Sequence, residues 1–106
     1  MCGFAGFINS EGSNSEKMAS IAESMGDAIA HRGPDDSGVW VDSQAHVTFA
    51  HRRLSVLDLS EAGHQPMHSH SHRYVLVYNG EIYNHLQIRK ELENHSRSTI
   101  NWIGHS

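Results

Sequence analysis

Cys2-Gly3-Phe4-Ala5-Gly6-Phe7-Ile8-Asn9, set directly behind Met1, is the stretch from which the rest of the chain is read. Phe4, Phe7 and Ile8 are apolar, and Gly3 and Gly6 carry no side chain. The stretch therefore reads as a buried first strand that lets another backbone or a ligand come close. Cys2 is the only cysteine in 106 residues. If Met1 is removed, Cys2 becomes the amino terminus and carries a thiol and a free α-amine on one residue. In model compounds such an amine titrates at about 7.7–8.0 and a thiol near 8.5. The amine is then partly unprotonated at neutral pH and can take the thiol's proton, directly or through a water. Activity of this kind would rise as the amine loses its proton and would need no histidine. Taken alone, a cysteine after Met reads more simply as a small residue tolerated there. The other segments have to supply the reason to read it as a nucleophile.

Length and composition set the bounds. A chain of 106 residues is one domain at most, with room for a modest core. Net charge is −4 with histidine neutral, and the Lys and Arg residues are scattered, so neither nucleic acid nor an anionic membrane surface is expected as a partner. A single cysteine excludes an internal disulfide framework and multi-cysteine metal sites, and it fits a reducing compartment. No apolar run approaches the ~18 residues of a membrane span. No basic segment followed by an apolar one marks a secretory signal. The expected location is cytoplasmic.

Beyond the first strand, the segment 10–15 is turn-rich. Met18, Ile21, Ala22, Met25, Ala28 and Ile29 then recur at helical spacing. Asn14 or Ser15 supplies an N-cap, Glu16 suits the positive end of the helix, and Gly33-Pro34 ends it. His31-Arg32-Gly33-Pro34-Asp35-Asp36-Ser37-Gly38 reads as a loop. Val39–Asp42, Val47–His51 and Leu54–Leu59 read as short strands. Ser60–His72 is polar and irregular. Tyr74–Tyr78 is a continuous apolar run suited to a central strand, ending abruptly at Asn79-Gly80-Glu81. A second helix is expected from Tyr83 or Asn84 to about Asn94, with Leu86, Ile88 and Leu92 apolar.

The ordered set MCGFAGF, HRGPDDSG, AHRRLSVLDLS, AGHQPM and YNGEIYNH closely resembles the glutaminase domain of glutamine-dependent asparagine synthetases. These are class II glutamine amidotransferases, a kind of N-terminal-nucleophile hydrolase. Any one of these motifs is weak, but their occurrence in this order makes coincidence untenable. The pairing of HRGPD with NGEIYNH is similar to the asparagine synthetase branch, which includes enzymes amidating other carboxylates and sugars. The resemblance implies an α+β fold, the N-terminal part of an αββα four-layer sandwich.

The same resemblance implies roles for particular residues. Cys2 would attack the side-chain amide carbon of glutamine and form a thioester as ammonia leaves. Asn79, through its side-chain NH₂, and Gly80, through its main-chain N–H, would form the oxyanion hole. Arg53 would clamp the substrate α-carboxylate, a task that suits a planar guanidinium better than an ammonium. Arg52 beside it reads as an exposed charge. Leu57 would touch substrate through its backbone, and Glu81 would lie near the substrate's amino group. The Arg32 loop would cover and support the pocket. Glutamine hydrolysis of this type needs no cofactor and no metal; ATP and Mg²⁺ are implied only for a synthetase domain.

Two further expectations follow. A domain of the resembled kind is considerably longer, so residues 1–106 are expected to be a partial domain, with the synthetase domain and a substrate-binding aspartate absent. Such a chain is expected to have weak or no activity of its own, and exposed sheet edges that invite pairing with a second copy. Separately, ten histidines are many for this length, and His64, His68, His70 and His72 crowd one segment. Imidazoles at that spacing can take Zn, Ni or Cu, so a small cytosolic metal-binding or scaffold protein is the competing reading.

Overall fold

The apolar stripe that begins at Met18 becomes α1 (Ser15–Ala28), and Asn14 is its N-cap, accepting the Lys17 N–H at 2.8 Å. The architecture around it is mixed α and β, seen in a computed structural model that describes residues 1–11, 14–56, 58–96, 100 and 102. α1 lies against a three-stranded antiparallel sheet of β1 (Gly3–Ile8), β2 (Asp36–Asp42) and β3 (Val47–Arg53), in the order β1-β3-β2. Met18, Ala22 and Gly26 are the buried residues of α1, whereas Ile21 and Ala28 face solvent. Gly26 brings the helix down onto the sheet, its α-carbon facing the Ala50 methyl. Met18 and Ala22, fully buried with Ala50, form the core between them. Thr48 is buried there too, and its hydroxyl donates to the Trp40 carbonyl at 2.7 Å, which removes the cost of a hidden polar group.

The first strand is therefore where the sequence places it, but its burial alternates instead of being continuous. Side chains on successive residues point to opposite faces. Ala50 faces α1, so His51 and Phe4, its partner in register, lie on the other face. Phe4 and Ile8 on that face are largely exposed.

α1 stops at Ile29, ahead of the expected Gly33-Pro34, and a single 3-10 turn (Ala30–Arg32) carries the chain to the sheet. The next residues are zipped to the end of β3. Pro34 bridges Arg53, the Asp35 N–H donates to the Arg53 carbonyl at 3.0 Å, and Asp35 Oδ2 accepts the Ser55 N–H at 2.8 Å. Gly33 is required at this crossing, since a Cβ would run into the Arg52 and Arg53 main chain. Arg52 is half-buried and donates from Nε to the Gly33 carbonyl at 3.1 Å, so it is a tether and not an exposed charge.

Two expected strands differ. Among the described residues of Leu54–Leu59 there is no strand. The backbone there bonds to side chains instead of a neighbouring ladder: Leu54 to Cys2, Ser55 to Asp35, and Asp58 to the Arg53 guanidinium. Tyr74–Tyr78 is not a central strand. Only β5 (Val75–Leu76) pairs, with β4 (Met67–His68), and Tyr74 and Leu76 are exposed. An apolar run suits a strand covered on both faces, and here its one strand neighbour among the described residues is two residues long.

α2 (His85–His95) follows Asn84, which caps it without a side-chain hydrogen bond, and has no buried residue. It is held on its surface by Gln87–Glu91 and Arg89–Glu93 pairs, and by Trp102, whose Nε1 donates to Glu93 at 2.7 Å. No helix among the described residues is long and apolar enough to cross a membrane.

Candidate active site

β1 begins one residue after Cys2, and its register Gly3–Arg52 sets Cys2 beside the exit of β3. The half-buried sulfur accepts the Leu54 N–H at 3.3 Å and lies 3.6 Å from the Leu54 carbonyl. Both hydrogen-bond partners of Sγ among the described residues are thus main-chain atoms. The Arg32 stem lies across Gly3, where a Cβ would meet its Cδ at 3.1 Å, so the loop after α1 supports the Cys2 backbone from behind.

Cys2 opens on a pocket of about 410 Å³. Arg53, Asn79, Gly80 and Glu81 line the same pocket, together with Gln65 and Tyr78. The residues singled out from the sequence thus converge from three separate stretches. Leu57 is the exception, lying outside the described residues. Asn79, Gly80 and Glu81 are exposed at the pocket mouth, at the end of the segment that follows β5.

Arg53 is buried and borders a second cavity as well, with Asp36, Glu61 and His64 on its far side. Its guanidinium passes over Gly63, where any side chain would block it. Nη1 donates to the Ser60 carbonyl at 2.6 Å and Nη2 to the Asp58 carbonyl. Arginine has five N–H groups, so these bonds fix the fork while using only part of its donor capacity.

His64 and His51 lie behind Arg53. His64 Nδ1 is 2.6 Å from Asp36 Oδ2, a pair with both partners partly exposed and so of small energetic weight. His51 is 1% exposed, with Nε2 unpartnered among the described residues. Burial pushes its imidazole below the ordinary histidine value; His64 and Arg53 act in the same direction, while the Tyr78 main chain and Asp36 oppose.

The histidine-rich reading finds no support. His64 is engaged with Asp36, while His68 and His72 pack ring against ring at 5.5 Å. No three His, Cys, Asp or Glu groups among the described residues could hold one metal ion. Sequence reasoning missed Gln65 and His51. Both sit inside motifs quoted above, AGHQPM and AHRRLSVLDLS, but a single Gln or His carries no local signature for a contact made across the fold.

Residues 1–102 match the family model of the glutamine amidotransferase domain. The chain is 44% identical over 100 residues to asparagine synthetase (glutamine-hydrolyzing) 2 of Bacillus subtilis, which covers 93% of this chain and 13% of that protein. It is 40% identical over 94 residues to asparagine synthetase (glutamine-hydrolyzing) 1 of the same organism, over 88% of this chain and 14% of that protein. An amidase of Gibberella zeae is 36% identical over 100 residues, over 87% of this chain and 15% of that protein. The chain thus spans 13–15% of the length of these relatives. No solved structure is a significant match.

Proposed function

This chain belongs to the glutamine amidotransferase domain family, and on that premise we propose that the pocket at Cys2 is a glutaminase site. Removal of Met1 frees the Cys2 α-amine, which takes the thiol proton. The sulfur attacks the amide carbon of glutamine, and the carbonyl electron pair moves onto oxygen. Asn79 Nδ2 and the Gly80 N–H hold that oxyanion. Collapse breaks the C–N bond, and ammonia leaves with the proton stored on the α-amine. Water then hydrolyses the thioester to glutamate and regenerates the thiol. Arg53 serves the substrate α-carboxylate with the N–H groups not engaged by Asp58 and Ser60. Glu81 supplies counter-charge to the α-ammonium, and Leu57 offers its backbone.

The observation that carries this reading is the convergence of Cys2, Arg53, Asn79, Gly80 and Glu81 on one pocket. The names of the relatives, glutamine-hydrolyzing asparagine synthetases, support it. On the same reading the ammonia serves amidation of an acceptor by a synthetase domain in a longer parent polypeptide. ATP and Mg²⁺ belong to that domain, and no residue of this chain is assigned to them. The sheet is one layer of an αββα sandwich: α1 covers one face, and exposed Phe4 and Ile8 on the other await a second sheet, of the same polypeptide or of a second copy. A cytoplasmic setting suits the free thiol.

The test is an intact mass after exposure to a diazoketone analogue of glutamine. The expected species lacks Met1 and carries one adduct, which disappears in Cys2→Ala. An adduct that persists in Cys2→Ala, or glutamine hydrolysis undiminished by that substitution, sinks the assignment.

A further inference from the structure

The Asn79–Gly80 corner hangs from the shortest ladder among the described residues, since β4 and β5 pair over two residues each. Extending the Met67–Leu76 register puts Pro66 across from Val77 and Gln65 across from Tyr78. The main-chain ladder stops at Met67–Leu76, and Gln65–Tyr78 is where its next hydrogen-bonded pair would fall. The Gln65 side chain takes over: its Oε1 accepts the Tyr78 N–H at 2.6 Å. Gln65 is 5% exposed, and its own carbonyl oxygen rests on Gly38 of β2, where a Cβ could not fit. Tyr78 in turn folds under the corner, its hydroxyl 2.8 Å from where a Gly80 Cβ would stand. His51, across from Gly38 in register and buried, faces the Tyr78 main chain as well.

We propose that Gln65 is a positioning residue for Asn79 and Gly80, tying their corner to the three-stranded sheet through the main-chain N–H of Tyr78. The line of support runs from β2 to Gln65, from Gln65 to Tyr78, and from Tyr78 to the two donors. Gln65 touches the pocket wall, but its effect on chemistry passes through where the donors stand. The inference deepens the glutaminase reading and rests on it for what those donors do.

The experiment compares Gln65→Met, which keeps volume and removes the acceptor, with Gln65→Glu, which keeps an oxygen. Amide exchange by NMR reads the tether directly. In Gln65→Met the Tyr78 amide exchanges about tenfold faster, the scale of one lost hydrogen bond, and the Gly80 amide resonance moves. Amides of β1–β3 keep their protection, and Gln65→Glu restores slow exchange at Tyr78. In glutamine hydrolysis kcat falls about tenfold with KM held, the pattern of an interaction felt in the transition state, and Gln65→Glu recovers it. Unchanged Tyr78 exchange in Gln65→Met with β1–β3 intact overturns the proposal, as does an unchanged kcat once that exchange has quickened. If Gln65→Met unfolds the sheet, Gln65→Glu decides, with slow Tyr78 exchange supporting the tether and fast exchange refuting it. A diazoketone adduct that persists in Cys2→Ala removes the glutaminase reading, and the exchange data still decide the tether.

Discussion

The two α-helices among the described residues each carry apolar residues at helical spacing but meet opposite fates. α1 spends Met18, Ala22 and Gly26 on a sheet that closes beneath it. α2 carries Leu86, Ile88 and Leu92 and buries none of them. The proposed nucleophile, Cys2, belongs to the first region, fixed by β1 and β3 through Leu54. The proposed oxyanion donors belong to the second, in the segment that follows a two-residue strand. An apolar helical pattern therefore says that a face wants covering, and only tertiary structure says whether it is covered. A site assembled across that boundary has one rigid partner and one that depends on a few tethers.

The contrast is broken most readily by matched truncations. Met18→Ala should cost about 2–5 kcal/mol in urea unfolding, the range for deleting a buried side chain. Leu86→Ala on α2 should stay within about 0.5 kcal/mol, as for surface changes. Equal losses at the two positions would erase the distinction. Asn79→Ala sharpens it from the functional side. With Asn79 exposed, melting should be unchanged while kcat for glutamine falls by ~10²–10³; a lowered melting temperature would mark Asn79 as structural.

The smallest effect concerns His51, at the inner side of the boundary. Its value in the folded chain is depressed below 6.5, chiefly by burial. As pH falls below that unfolded-state value, the unfolded chain takes up the proton first. The stability that neutral His51 allows is thus complete above pH ~6.5 and is lost on acidification toward the folded value, by at most about 1.4 kcal/mol per pH unit. Unfolding free energies between pH 7.5 and 5.5 should therefore fall less steeply in His51→Gln than in the wild type, and parallel slopes would count against this account.

How much of this was legible follows the same divide. α1 could be read because its stripe and the Asn14 cap are local signals. Cys2, Arg53 and Asn79-Gly80 could be singled out only because several motifs stand in a set order; physically, their meeting is non-local. Leu54–Leu59 misled because β-branched and leucine-rich composition says nothing about which partners its N–H groups will find, and they found Cys2 and Asp35. Tyr74–Tyr78 misled because hydrophobicity cannot report how many neighbours a strand has. Gln65 escaped notice and Arg52 passed for an exposed charge because each works on a main-chain atom elsewhere in the fold, Tyr78 N–H and Gly33 carbonyl, and such targets leave no trace in composition.

Strand order β1-β3-β2 also sets an order of assembly. β2 and β3 meet across a tight connection, Asp42 opposite Val47, and can zip as a hairpin from the turn outward. β1 reaches the other edge of β3 with Ile8 opposite Val47, closing a span of roughly forty residues that costs about 2 kcal/mol more in chain entropy. Chain entropy thus favours the hairpin as the earlier event, with β1 docking onto it as a template, consistent with local contacts forming ahead of distant ones. Cys2 arrives with that last strand. A half-folded chain therefore has no sulfur at Leu54, and the thiol is seated only once the sheet is complete.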